Sequence, residues 1–155
     1  MTTLYVLYDN TWPDHLRLRD WLVEQPALVP LHWHPHKSEE VSHRFPGLTA
    51  HLTPRELTVV SDDGRLWVGP AAAVMCLYAL EDHREFAVRL AHPALLTYAR
   101  TALELMSRNV GEMTRLLEDS PHGELEGVLR RNAEVLQQRY RVPPPPPPLP
   151  IKTPV

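Results

Sequence analysis

The chain has a single cysteine, Cys76, among 155 residues. One thiol forms no intramolecular disulfide, so a stapled secreted scaffold is excluded and a reducing, cytoplasmic setting is expected. Continuous apolar runs are also missing. No stretch approaches the roughly 18 apolar residues of a membrane-spanning helix, so no membrane partner is expected. Positive charge is not in excess: 16 Lys and Arg stand against 19 Asp and Glu, a net charge of −3 at pH 7. A broad basic surface, and with it a nucleic-acid partner, is not expected. The N-terminus, Met1-Thr2-Thr3-Leu4, lacks a basic region and runs straight into a short apolar segment, so it does not read as a signal peptide.

What is present is an ordinary globular composition with one anomaly. Apolar residues make up 43% and charged residues 23%, enough for one domain with a real core. Of the 17 prolines, eight follow Val142. The run from Pro143 to Pro148, then Leu149-Pro150-Ile151, is expected to be an extended, disordered polyproline tail rather than part of a core. Such a tail is also a possible ligand for an aromatic-lined groove.

The chain divides as follows. Leu4 to Tyr8 is continuously apolar, like a strand covered on both faces. Asp9 to Pro13 is turn chemistry, with Pro13 suited to a first helical turn. His15 to Gln25 is predicted as an amphipathic helix with Leu16, Leu18, Trp21 and Leu22 inward and Arg17, Arg19, Asp20 and Glu24 toward water. Pro26 stops it. Leu28 to His34 is a second strand, parallel to the first across a β-α-β unit. Lys37 to Leu52 reads as a short helix plus loop, interrupted at Pro46-Gly47. Glu56 to Val60 and Arg65 to Gly69, joined by Ser61-Asp62-Asp63-Gly64, read as a β-hairpin. Pro70 opens a helix over Ala71 to Leu80. His92-Pro93 is predicted to start one long helix ending near Asn109, with Glu112 to Glu118 continuing it past Gly111. After a break at Ser120-Pro121-His122-Gly123, Glu124 to Tyr140 is a charged amphipathic helix.

A strand, a Pro-containing turn and a helix start together make a common site for chemistry, because a helix N-terminus presents free N–H groups and a partial positive charge. Here that stretch is Tyr8-Asp9-Asn10-Thr11-Trp12-Pro13-Asp14-His15. Near it in the expected topology lie three alternating histidines, His32, His34 and His36. Alternation on a strand puts all three on one side, and a parallel strand brings its C-terminal end to the same edge as Trp12 to His15. A cluster of His15, His34 and His36 with Asp9 or Asp14 has the donor chemistry of a zinc site. The same residues also fit partly exposed histidines at a strand end with a capping His15. No cysteine and no tight His-x3-His spacing supports a dedicated centre, so no metal or cofactor is expected.

The order β-α-β, β-hairpin, helix is the thioredoxin-like order, and at three places the chain resembles the DCC family of thiol–disulfide oxidoreductases, named for a motif of the form Asp-Gly-x-Cys-Pro-x-Cys. Residues 8–15 match the frame of that motif, keeping Asp9 and Pro13. Residues 61–73, Ser-Asp-Asp-Gly-Arg-Leu-Trp-Val-Gly-Pro-Ala-Ala-Ala, resemble its hairpin turn and Gly leading into an Ala-containing helix. Residues 98–110, with Ser107-Arg108-Asn109, resemble its helical C-terminal end. The resemblance spans roughly Leu4 to Val110. It implies an α/β, thioredoxin-like fold with a four-stranded mixed sheet over residues 1–110, a helical extension over 111–141 and the tail over 142–155. It also implies dithiol–disulfide exchange, which needs one thiolate to attack and a second thiol to resolve. Here the motif's Gly is Asn10 and its two cysteines are Trp12 and His15. Cys76, in the apolar segment Ala-Val-Met-Cys-Leu-Tyr, is expected to be a buried packing residue. The expectation is a degenerate family member that binds a protein or small ligand at the Trp12–His15 edge. An enzyme with altered chemistry is the alternative. Trp12 is either a contact residue or a plug.

Overall fold

The computed structural model describes residues 1–108 and 112–140. The tail expected from Pro143, and the proposed domain boundary at 110, lie outside the described residues.

Strand β1, Leu4–Tyr8, is the centre of the molecule. Its residues alternate between two apolar faces. Leu4, Val6 and Tyr8 enter the main core, whereas Leu7 and Tyr5 belong to a smaller cluster with Val41, Val60 and Phe45. That double coverage is why the segment reads as an uninterrupted apolar run. Helix α1, Pro13–Val23, follows, then β2, Leu31–Pro35, which pairs parallel to β1 with Leu4 opposite Leu31 and Tyr8 opposite Pro35. Helix α2, Glu39–Arg44, starts at Ser38, whose hydroxyl accepts the Val41 N–H, and a 3-10 turn covers Thr49–His51. Strand β3, Thr58–Ser61, lies antiparallel on the other side of β1, and β4, Leu66–Val68, closes the hairpin. The four-stranded mixed sheet has the order β2-β1-β3-β4.

Among the described residues, six helices follow the strands: α3, Pro70–Tyr78; α4, Arg84–Leu90; α5, Pro93–Leu96; α6, Ala99–Arg108; α7, Glu112–Asp119; and α8, His122–Tyr140. Leu18, Trp21 and Leu22 of α1, Ala72, Ala73 and Leu77 of α3, and Leu103 and Met106 of α6 pack on the Leu4–Val6–Tyr8 face, and Leu117, Leu125 and Leu129 join the same cluster. None of the described helices is long and apolar enough to cross a membrane.

Three sequence expectations need correction. The second strand starts at Leu31, not Leu28. Ala27 instead forms an isolated bridge to Leu80, and Pro30, which has no N–H, contributes only its carbonyl, to Leu4 N–H. The single helix expected from Pro93 to Asn109 is two, broken at Thr97-Tyr98. Buried Leu95, Ala99, Ala102, Leu103 and Met106 keep helical spacing across the break, so periodicity does not reveal it. Arg17 does not simply face water. Its Nη1 bridges Asp14 at 3.0 Å and Glu104 at 3.1 Å, and Arg108 reaches Glu104 at 2.9 Å and Asp14 at 3.6 Å. Both carboxylates are essentially inaccessible, so this quartet ties the first turn of α1 to α6.

Candidate functional site at the end of the central strand

The turn after β1 is built around the Asp9 carboxylate. Its Oδ1 accepts Thr11 N–H at 3.0 Å and the Thr11 hydroxyl at 2.6 Å, while Oδ2 accepts Arg55 N–H at 3.0 Å. Burial pulls the Asp9 carboxyl up. The Thr11 hydroxyl, the two backbone donors and nearby His15 outweigh burial and hold it below the usual value. Arg55 has a positive φ of 63°, a conformation that costs a side-chain-bearing residue about 1–2 kcal/mol. Asp9 therefore holds the strained loop before β3 against the turn after β1.

Trp12 is the N-cap residue of α1. Its carbonyl accepts the His15 N–H at 3.0 Å, with Pro13 at the first helical position. The indole is half-buried, and the Arg55 guanidinium lies 4.2 Å from its ring centre. Its Nε1 is buried without a hydrogen-bond partner. The residue is thus neither a free contact surface nor a full plug. It is a half-buried ring clamped under a cation.

His15 is not a capping residue. It is 2% exposed, and its Nδ1 accepts the Asp9 backbone N–H at 3.0 Å. Burial pushes its pKa down to about 4, with the charges of His36 and Arg100 adding to the effect. Asp9 and a backbone hydrogen bond to Arg55 oppose it. Near neutral pH the ring is uncharged, and it packs among Leu18, Leu57, Ala73 and Leu103 beside Gly69 and Arg100. Arg100 in turn is ion-paired with Glu56.

The expected triad of His15, His34 and His36 does not assemble. The ladder ends at Pro35, and with it the strand alternation that would have aligned His36 with His32 and His34. His36 N–H donates to Tyr8 O at 2.8 Å, its ring Nε2 lies 3.2 Å from Leu7 O, and the side chain is buried. Burial lowers its pKa, against the Leu7 carbonyl, Asp9 and the Glu56 backbone. His34 stays on the opposite face of the sheet from α1, its ring centre 6.0 Å from that of Tyr5. Asp14 points into the ion quartet rather than toward His15. Among the described residues, no group of three or more His, Cys, Asp or Glu side chains is arranged to hold a metal ion. Cys76 is fully buried on α3, and burial pushes its thiol up to about 12. It is neither accessible nor ionised, the opposite of a reactive cysteine.

Beside the turn opens a cleft of about 200 Å³. Three chain segments converge on it: Asp9, Asn10 and Thr11 after β1, His36 and Lys37 after β2, and Thr49, Leu52 and Pro54 before β3. Asp9, Asn10 and His36 come from the residues singled out in sequence. Lys37, Thr49, Leu52, Pro54 and Arg55 were missed. Thr53-Pro54 shortly before an apolar run is their only sequence signal, since a proline there fixes the loop's entry into β3. No family model, curated protein or solved structure matches this chain.

Proposed function

We propose that this chain is a thioredoxin-like, DCC-type module whose thiol site, Asp9, Asn10, Trp12, Pro13 and His15, has become a non-catalytic binding edge, with a protein side chain or small ligand seated in the adjoining cleft, which Asp9 and Asn10 line and Trp12, Pro13 and His15 do not. The observation that carries this reading is the contrast between cleft and chemistry. The three segments leave an open, mainly apolar space with a few polar groups, the usual makeup of a ligand site. The groups expected to react are buried or already engaged. His15 is buried, neutral and hydrogen-bonded at Nδ1, with the Arg55 backbone as a second partner. That is poor placement for a general base, which must reach a substrate proton. The Asp9 oxygens are occupied by Thr11 and Arg55. The sole thiol lies in the core. The sheet order β2-β1-β3-β4, with one parallel and two antiparallel pairs, is the one that the thioredoxin-like reading requires.

Two measurements test this. Insulin reduction driven by dithiothreitol should run at the uncatalysed rate with this protein present, and clear acceleration would overturn the non-catalytic reading. A small-molecule fragment set screened by amide NMR should give shifts concentrated at Asn10–Thr11, His36–Lys37 and Thr49–Leu52, and Thr49→Trp should abolish them by filling the cleft. Fragment binding that clusters elsewhere, or that survives Thr49→Trp, would move the binding site away from this edge.

A further inference from the structure

We propose that His32 and His34 form a two-imidazole site for a late first-row divalent cation, Cu2+ or Ni2+ foremost, on the Tyr5–Leu7 face of the sheet, opposite α1. Both lie on β2, an edge strand, and occupy alternate positions on one face. Residues two apart along a strand are separated by about 6.6 Å, a gap that two imidazoles leaning together close around one ion at metal–nitrogen distances of about 2.0–2.1 Å.

Tyr5 prepares the pair. It stands opposite His32 in the ladder, and its ring centre lies 5.8 Å from that of His32 and 6.0 Å from that of His34, with interplanar angles of 33° and 27°. One aromatic ring thus supports both imidazoles and reduces the rotamer freedom lost on chelation. Tyr5 is itself held: Arg44 Nη1 donates to its hydroxyl at 3.2 Å, and the Arg44 guanidinium sits 4.9 Å from its ring centre. The local charge is balanced, because Glu40 pairs with Arg44 at 2.6 Å. His32 is exposed and His34 half-buried, so solvent can supply the remaining ligands. Two imidazole nitrogen donors with open positions suit the tetragonal preference of Cu2+ and Ni2+ better than the closed four-ligand cage of structural zinc. The site is separate from His15 and His36, whose rings are buried across the sheet or at its end.

The test is calorimetric titration of the full chain with Cu2+, with location read from paramagnetic broadening of amide signals. The structure predicts one ion per chain, broadening centred on Tyr5 and residues 31–35, and a loss of about tenfold or more in affinity in each of His32→Ala and His34→Ala. Tyr5→Leu should weaken binding about tenfold, as loss of an outer partner does at other metal sites. Another histidine pair, His92 with His122 at 5.8 Å, serves as control, and the double variant His92→Ala/His122→Ala should bind as the parent does. Circular dichroism verifies that each variant is folded. Unchanged affinity in His32→Ala and His34→Ala, binding lost only in the His92/His122 variant, or no stoichiometric binding would each overturn the proposal.

Discussion

Protonation of His15 should drive much of this protein's loss of stability in mild acid. The ring's pKa falls from the ordinary 6.5 to about 4 in the folded state, chiefly through burial. The unfolded chain therefore binds a proton between those values that the folded chain refuses, and stability must fall as pH drops through that window. At about 1.4 kcal/mol per pH unit, the loss from His15 alone at pH 4.5 is about 2–3 kcal/mol. For a chain of this size that corresponds to about 5–10 °C in Tm. His36 and His34 are lowered as well, also mainly by burial, and push in the same direction. The Asp9 contribution comes in lower, below its unfolded value near 3.8. The assay is urea unfolding at pH 7 and pH 4.5 for the parent and for His15→Leu. At pH 7 the variant should be less stable by about 1–3 kcal/mol, because the Asp9 N–H loses its acceptor. At pH 4.5 the gap should narrow by about 2–3 kcal/mol, because leucine has no proton to take up. An equal gap at the two pH values, or an NMR titration placing His15 near 6.5, would refute the buried, neutral imidazole.

Trp12→Ala should cost about 1–3 kcal/mol in urea unfolding, between a surface contact and a filled cavity, because the indole is half-buried and stacked by Arg55. Gly69→Ala should cost about 2 kcal/mol or more. Its φ is +63° and a Cβ there would come within 2.7 Å of Glu56 Oε2, so thermal melting should show both the strain and a disturbed Glu56–Arg100 pair. Glu104→Ala should cost about 3 kcal/mol, leaving Arg17 and Arg108 to share Asp14. The two arginines are about a third exposed, which keeps the loss at the low end of the range for a broken buried pair. A loss under about 0.5 kcal/mol would show that the quartet is not a clasp between α1 and α6.

The sheet was legible in the sequence because its signals are local. Leu4 to Tyr8 is apolar throughout, Ser61 to Gly64 is turn chemistry, and Pro13 and Pro70 mark helix starts, all properties of neighbouring residues. The break between α5 and α6 was not legible, since buried side chains continue at helical spacing on both sides of it. The frame of the candidate site was half legible. Asp9 and the strand-to-helix turn could be singled out, but what Asp9 binds could not, because its partner Arg55 lies 46 residues away. The histidine triad failed for a similar reason. Alternation predicts a shared face only while the strand lasts, and β2 ends at Pro35, one residue before His36. The ion quartet was hidden because an i, i+3 pair of Asp14 and Arg17 looks the same whether it faces solvent or a buried Glu104.

On the proposed reading, Trp12 and His15 stand at the two positions of a vacated thiol pair. The most direct test is a thiol count on the doubly substituted chain, W12C/H15C, after mild air oxidation and unfolding. The His15 N–H to Trp12 carbonyl hydrogen bond of 3.0 Å closes one turn between the two positions, and a disulfide needs Cα atoms about 4.4–6.8 Å apart. One free thiol, Cys76, is expected, with the other two recovered on reduction. Three free thiols from a variant that was folded before the count would contradict it.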